Sequence, residues 1–169
     1  MDDATIRRAQ RGDPAALEEV LRDLAPYLGR ICGAIALQAG DDALQETMVN
    51  VARHLGSLRE PAALRGWARR IAVREAVRAA THGRDVPVDL AGVDPAGLDP
   101  RRVVGDGSTA VEVRAVLESL EPDQRAVLVM RHLDGLDELE MAEALQVARG
   151  TVKSRLHRAR AAFRERWTA

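Results

Sequence analysis

The chain has one cysteine, one lysine and four aromatic residues among its 169. A single thiol, Cys32, cannot close an internal disulfide and offers no Cys pair for a zinc site. It falls inside an apolar helical pattern, so it reads as a buried structural thiol. No apolar run approaches the roughly 18 residues of a membrane span, and the opening Met-Asp-Asp-Ala is no secretion signal. A soluble cytoplasmic protein with no membrane contact of its own is expected. Strand-type alternation is nearly absent, which leaves an all-α fold. Charge of one sign is missing too. Lys and Arg number 25 against 26 Asp and Glu, a formal net charge of −1. The chain is therefore no polycation that coats nucleic acid, and any grip on a polyanion must come from local segregation of charge or from a partner. The four histidines, His54, His82, His132 and His157, share no metal-ligand spacing. No Gly-rich phosphate loop or nucleophile motif occurs. No enzyme activity, metal or cofactor is expected.

What is present is helical periodicity, and Gly135–Arg160 carries most of the information. Asp134-Gly135 closes the preceding apolar run, since Gly accepts the left-handed conformation past a helix end. Asp137-x-x-Glu140 is a helix start, which predicts a short helix over 138–145. Gln146-Val147-Ala148 is then a turn. Beyond it Val152, Leu156, Ala159 and Phe163 share one helical face, while Gly150, Lys153, Ser154, His157 and Arg158 point away. Residues 147–166 hold seven basic side chains against one acid, Glu165. Ala142 lies ten residues before Val152, and its small side chain lets two helices cross closely. This is a helix-turn-helix arrangement, whose second helix enters the DNA major groove. The bland alternative is a solvated amphipathic helix.

Upstream, residues 3–11 read as a short helix. Asp13-Pro14 starts a long one, with Asp as cap and Pro in the first position. Pro26 should kink or interrupt it, and Gly40 should end it. A helix from Asp42 to His54 follows, with Asp42-x-x-Gln45 as a capping box and Leu44, Met48, Val51 and Leu55 inward. Pro61 opens another, to about Ala80. On it Arg70, Arg74 and Arg78 form an i, i+4, i+8 row flanked by Arg65 and Arg69. Such a row either tracks phosphates or is a solvated face. Trp67 reads as core more readily than as a base-stacking platform. Residues 83–108 hold three Pro, five Gly, five Asp and no helical period, so they read as a mobile acidic linker. The expected division is 1–82, the linker 83–108, and 109–169, the last opened by a Thr109-x-x-Glu112 capping box.

Four stretches together resemble a known family. They are Arg11-Gly12-Asp13 with Leu17 and Ala25-Pro26, Asp42 to Thr47 (DALQET), and Trp67 with Ile71-Ala72. The fourth is Leu120-Glu121-Pro122 with Gln124-Arg125, then Gly135-Leu136 and Gly150–Arg160 (GTVKSRLHRAR). The chain resembles the minimal two-domain sigma factors of the extracytoplasmic-function (ECF) group of bacterial RNA polymerase. The resemblance implies a region-two-like helical bundle and a region-four-like helix-turn-helix joined by the linker. It implies promoter selection, with core RNA polymerase, promoter DNA and an anti-sigma protein as partners. Asp42, Gln45 and Glu46 would then meet polymerase. Arg65, Trp67, Arg69, Arg70, Arg74 and Arg78 would serve the minus-10 element. Arg149, Thr151, Lys153, Ser154, Arg155, His157 and Arg158 would serve the minus-35 element, with Arg158 nearer phosphate. At the turn the family's common Gly is Gln146, and its usual Ser or Pro cap is Ala148. The alternative left open is a stand-alone regulator that uses only its C-terminal domain on duplex DNA.

Overall fold

The computed structural model describes residues 1–82 and 107–168, so most of the expected linker at 83–108 lies outside the described residues. The described residues form eight α-helices and no strand. The first four build an N-terminal bundle. Helix α1 (Asp3–Gln10) is capped by Asp2, which accepts from the Thr5 amide at 2.8 Å. Helix α2 (Pro14–Ala36) starts as expected, with Asp13 accepting from the Ala15 and Ala16 amides and Pro14 in the first position. Arg8 donates to the same carboxylate and holds Asp13 below the usual carboxylate range. Its buried face is Ala16, Val20, Leu24, Leu28, Ile31 and Ile35.

Of the two outcomes expected at Pro26, interruption does not occur, as α2 continues through it. A proline inside a helix costs about 3 kcal/mol and orphans the carbonyl one turn back. Here Pro26 and Arg22 both lie on the exposed face, so that carbonyl is on the solvent side of the helix. Long buried faces on either side hold the helix together. Nor does Gly40 end the helix. Helix α2 stops at Ala36, Leu37 takes the positive φ of 57°, and a 3₁₀ turn over Leu37–Ala39 leads into α3 (Gly40–His54). Gly40 itself is helical, at φ −63°. Its need for glycine is space: a Cβ there would sit 2.8 Å from the Gly33 Cα on α2. Backbone cannot yield as a side-chain tip does, so Gly40→Ala is expected to cost roughly 1–3 kcal/mol by urea unfolding. An unchanged midpoint would show that α2 and α3 can part at no cost.

Helix α3 turns Ala43, Thr47 and Val51 inward, with Leu44 and Met48 half-buried beside them. Thr47 spends its hydroxyl on the Ala43 carbonyl at 2.6 Å. Beside it lies Cys32, buried as expected, with burial pushing its thiol up to about 11. After a 3₁₀ turn at Pro61–Ala63, α4 (Leu64–His82) buries Leu64, Ala68, Ile71, Ala72, Val73, Ala76 and Ala80.

The C-terminal half contains α5 (Gly107–Glu118), α6 (Pro122–His132), α7 (Glu138–Leu145) and α8 (Arg149–Trp167). Helix α5 begins two residues ahead of Thr109, which therefore lies within the first turn and is not its cap. Helix α8 packs on α5, α6 and α7. The two halves also meet, α2 on α6 and α4 on both α6 and α7, and a single buried apolar cluster runs through both.

Candidate nucleic-acid and partner interface

On α3, Asp42, Gln45 and Glu46 are all exposed, at spacings that put them on one face. The expected Asp42–Gln45 capping box is absent. The helix starts at Gly40 behind Ala39, which makes no side-chain cap, so Asp42 sits inside the first turn. An acid there is still favoured by the helix dipole. The carboxylate and the amide are thereby left to face solvent together. Val49 lies three and four residues on from Glu46 and Gln45 and is 43% exposed. Sequence reading passed over it, although its i+4 spacing from Gln45 marks the same face.

The six basic and aromatic candidates on α4 do not form one surface. Arg70, Arg74 and Arg78 are exposed in a row, as the i, i+4 spacing requires. Arg78 is paired with Glu75 at 2.5 Å, and Arg74 Nε donates to the Arg70 carbonyl at 3.2 Å. Arg65 is also exposed and lies over the Tyr27 ring, 5.0 Å from its centroid. Trp67 is half-buried and packs against the core. Arg69 departs most. At 100° per residue it lies off the row, facing α6 and α7, where its Nη1 meets Asp134 at 3.2 Å. The Tyr27 hydroxyl donates to the same carboxylate oxygen at 2.8 Å. Burial, then the hydrogen bond to Asp134 and its charge, push the Tyr27 phenol up to about 12, so it stays a donor at any physiological pH.

The helix-turn-helix forms as its capping signals require. Asp137 accepts from the Leu139 and Glu140 amides at 2.8 and 2.9 Å, and Glu140 accepts from the Asp137 amide at 2.8 Å. Those amide bonds, that from Glu140 foremost, hold Asp137 below the usual carboxylate range. Helix α7 then spans Glu138–Leu145, and Ala142 and Val152 are buried where α7 and α8 cross. The turn forces Gln146 into the left-handed region (φ 55°, ψ 44°), and Ala148 caps α8 without a side-chain hydrogen bond. A non-glycine residue there carries about 1–2 kcal/mol of strain. Gln146→Gly is therefore expected to raise the unfolding midpoint by an equivalent of about 1 kcal/mol, after glycine's larger unfolded-state entropy. A lower midpoint would show that the Gln146 side chain contributes more than its backbone strains.

Helix α8 sorts its candidates into two groups. Lys153, Ser154, His157 and Arg158 are exposed along one side. Arg160 joins them: it is exposed and two turns on from Lys153, a position signalled by the i+7 spacing and left out of the expected set. The others are engaged within the fold. Arg155 is half-buried and paired with Asp123 on α6 at 3.2 Å. Arg149 is paired with Glu138 at 3.3 Å but remains exposed. Thr151 is half-buried, its carbonyl accepting from the Ser154 hydroxyl at 2.9 Å. Arg155 thus holds α8 onto α6, where the sequence had offered it to DNA. Among the described residues no cluster of His, Cys, Asp and Glu could hold a metal ion, and no helix is long and apolar enough to cross a membrane.

Comparison with known proteins covers both halves. The Sigma-70 region 2 family matches residues 16–84, and the Sigma-70, region 4 family matches residues 110–163. The chain is 33% identical over 153 residues to the ECF RNA polymerase sigma factor SigM of Mycobacterium tuberculosis, covering 89% of this chain and 76% of that protein. It is 30% identical over 164 residues to the ECF RNA polymerase sigma factor SigE of Mycolicibacterium smegmatis, covering 91% of this chain and 63% of the longer relative. It is 29% identical to the RNA polymerase sigma-H factor of Pseudomonas aeruginosa, covering 96% and 91%. Two solved structures share the fold at 21% identity. One is CnrH in complex with the cytosolic domain of CnrY, with TM-score 0.62 and coverage of 96% and 94%. The other is the sigma factor RpoE in complex with the anti-sigma factor NepR from Bartonella quintana, with TM-score 0.61 and coverage of 90% and 96%. A region 2 match across the N-terminal half overturns the alternative of a regulator that works through its C-terminal domain alone.

Proposed function

The chain belongs to the ECF group of RNA polymerase sigma factors, promoter-specificity subunits of that enzyme, and from that premise we propose which of its surfaces does what. The observation that carries the assignment is the presence on one chain of a region 2 bundle and a region 4 helix-turn-helix. The bundle is residues 1–82 and the helix-turn-helix unit 109–169, joined through 83–108. The α3 face of Asp42, Gln45, Glu46 and Val49 docks on core RNA polymerase. The exposed arginines of α4 track the minus-10 element. Lys153, Ser154, His157, Arg158 and Arg160 face the minus-35 element, Arg149 joining them once it leaves Glu138.

Two physical points support this division. A net charge of −1 gives the chain little hold on DNA by itself, so polymerase must supply part of the grip. Among the candidate cations, Arg70, Arg74 and Arg78 lie exposed in one row on α4, and Lys153, Arg158 and Arg160 lie exposed on the outward side of α8, which is what backbone-tracking contacts need. The protein acts in initiation without catalysing a reaction of its own, and it works in the cytoplasm, where polymerase and promoter are. An anti-sigma protein that covers the α3 and α4 faces is its regulator, on the precedent of the RpoE–NepR complex. The test is reconstitution with core RNA polymerase and run-off transcription from the DNA upstream of the protein's own gene. Promoter-dependent transcripts support the proposal, and the absence of any association with core polymerase sinks it.

A further inference from the structure

Within the exposed arginine row of α4, a carboxylate holds Arg78. Glu75 Oε2 accepts from Arg78 Nε at 2.8 Å and from Arg78 Nη2 at 2.5 Å. Its other oxygen, Oε1, accepts from Asn50 Nδ2 on α3 at 3.2 Å. The Glu75 side chain is 18% exposed, while that of Arg78 is 57% exposed. An i,i+3 pair between two solvated side chains fixes little, because both ends move. Here one end is anchored, since Asn50 ties the carboxylate to α3. The carboxylate then sets the plane of a guanidinium that reaches into solvent. Glu75 takes the Nε side, so the end of the fork, Nη1 with the outer Nη2 hydrogen, stays open.

Arg70 and Arg74 differ. Neither is paired with a carboxylate among the described residues, and Arg74 Nε donates to the Arg70 carbonyl at 3.2 Å. Both keep their full charge, which is what attracts a phosphate. The Glu75–Arg78 pair carries no net charge, so it displaces few counterions from DNA, and its carboxylate repels a phosphate. What the pair retains is direction. A fork of fixed plane is what the neutral acceptors of guanine, O6 and N7, require. A side chain already held also has less rotamer freedom left to lose on contact.

We propose that Arg78, oriented by Glu75, reads a guanine edge within the minus-10 element, while Arg70 and Arg74 hold phosphates. Glu75 is the positioning residue of that contact. The inference rests on the sigma-factor reading and refines it, giving the α4 row one base-reading member.

The test uses the full chain with core RNA polymerase, on the DNA upstream of the protein's own gene with the minus-10 region randomised. Holoenzymes of the parent, Arg78→Ala, Glu75→Gln, the double variant and Arg74→Ala are compared by sequencing the bound pools. The parent is expected to favour guanine at one position by about tenfold. Arg78→Ala abolishes that preference. Glu75→Gln cuts it severalfold and, by freeing a cation, steepens the salt dependence of binding by about one unit of slope. In the Arg78→Ala background Glu75→Gln changes no preference, as expected of a residue that acts through its partner. Arg74→Ala keeps the preference and lowers the slope by about one. A preference that survives Arg78→Ala, or that Glu75→Gln leaves intact, overturns the proposal. So does an Arg78→Ala loss that is equal on every sequence, which marks a phosphate contact.

Failure of the parent to associate with polymerase sinks the sigma-factor reading instead. The base contact is then decided without polymerase, at low salt, on a short dye-labelled duplex with its guanines replaced by 7-deazaguanine, which lacks N7. The parent is expected to lose affinity severalfold on that duplex and Arg78→Ala to lose less. An equal loss for both, or none for either, overturns the contact.

Discussion

Arg125→Met is expected to remove about 3 kcal/mol of stability. Arg125 is 4% exposed. Its partners include four backbone carbonyls. Nη1 donates to Leu120 at 2.9 Å, Leu117 at 3.3 Å and Glu118 at 3.5 Å, while Nε donates to Ile35 at 2.8 Å. Leu117 and Glu118 end α5, and Ile35 is the penultimate residue of α2. One guanidinium therefore sits at the negative ends of two helix dipoles and donates to carbonyls of the last turns, of which Leu117 also accepts from the Leu120 amide at 3.1 Å. Methionine fills the volume without donating, and each buried acceptor left unpaired costs about 1–3 kcal/mol. Relief from burying a cation returns part of that, which is why the net is set nearer 3 than the full sum. Against a total stability of about 5–15 kcal/mol, such a loss is readily seen in a urea titration. Arg125→Lys keeps the charge but not the planar fork, so it should fall between parent and Met. A loss below about 1 kcal/mol for Met would mean water enters and satisfies the carbonyls.

The reach of sequence reading in this chain follows the range of the interaction concerned. The start of α2 at Asp13-Pro14, the capping box at Asp137–Glu140 and the bounds of α7 were all legible, because a cap and its amides lie within three residues. The stripe of Val152, Leu156 and Ala159 was legible for the same reason, as helical period is a local property. Arg125 was visible only as part of a motif, since its Ile35 partner is 90 positions away. Asp134 was read as the end of a helix, and nothing nearby announces that Tyr27 and Arg69 converge on it from 107 and 65 residues off. Gly40 misled for a related reason. Glycine is used both for a left-handed turn and for a close backbone approach, and only the position of Gly33 decides between them. At the candidate site, the sequence placed the arginines on helical faces by their spacing but offered no division of them into free and engaged. Asp123 and Asp134 capture Arg155 and Arg69 through tertiary placement that charge counting along the chain cannot register, whereas Glu75 and Arg78 are a local i,i+3 pair on α4.

Asp42→Ala, Gln45→Ala and Glu46→Ala combined are expected to weaken association with core RNA polymerase by about a hundredfold or more, while the fold stays intact. The argument has two halves. On stability, all three side chains are exposed and none caps α3, so their removal falls within the roughly ±0.5 kcal/mol of ordinary surface changes, plus a few tenths for losing Asp42 from the first turn. On binding, a few central residues carry most of an interface's energy, and two losses of about 1.4 kcal/mol each already make a hundredfold. The face has the anatomy of such a centre. Val49, 43% exposed, supplies apolar area, and the carboxylates and the amide around it supply direction. Val49→Asp should therefore match the triple variant in binding, with its own stability nearly unchanged because the side chain is already in water. The readout is binding of labelled chain to core polymerase by fluorescence anisotropy, with thermal unfolding of each variant alongside. If the triple variant binds as tightly as the parent, polymerase is met through another surface, and the exposed α4 row of Arg70 and Arg74 becomes the next one to remove. If Val49→Asp alone fails to weaken binding, the contact is purely polar and should then fall steeply with added salt, which the same titration measures.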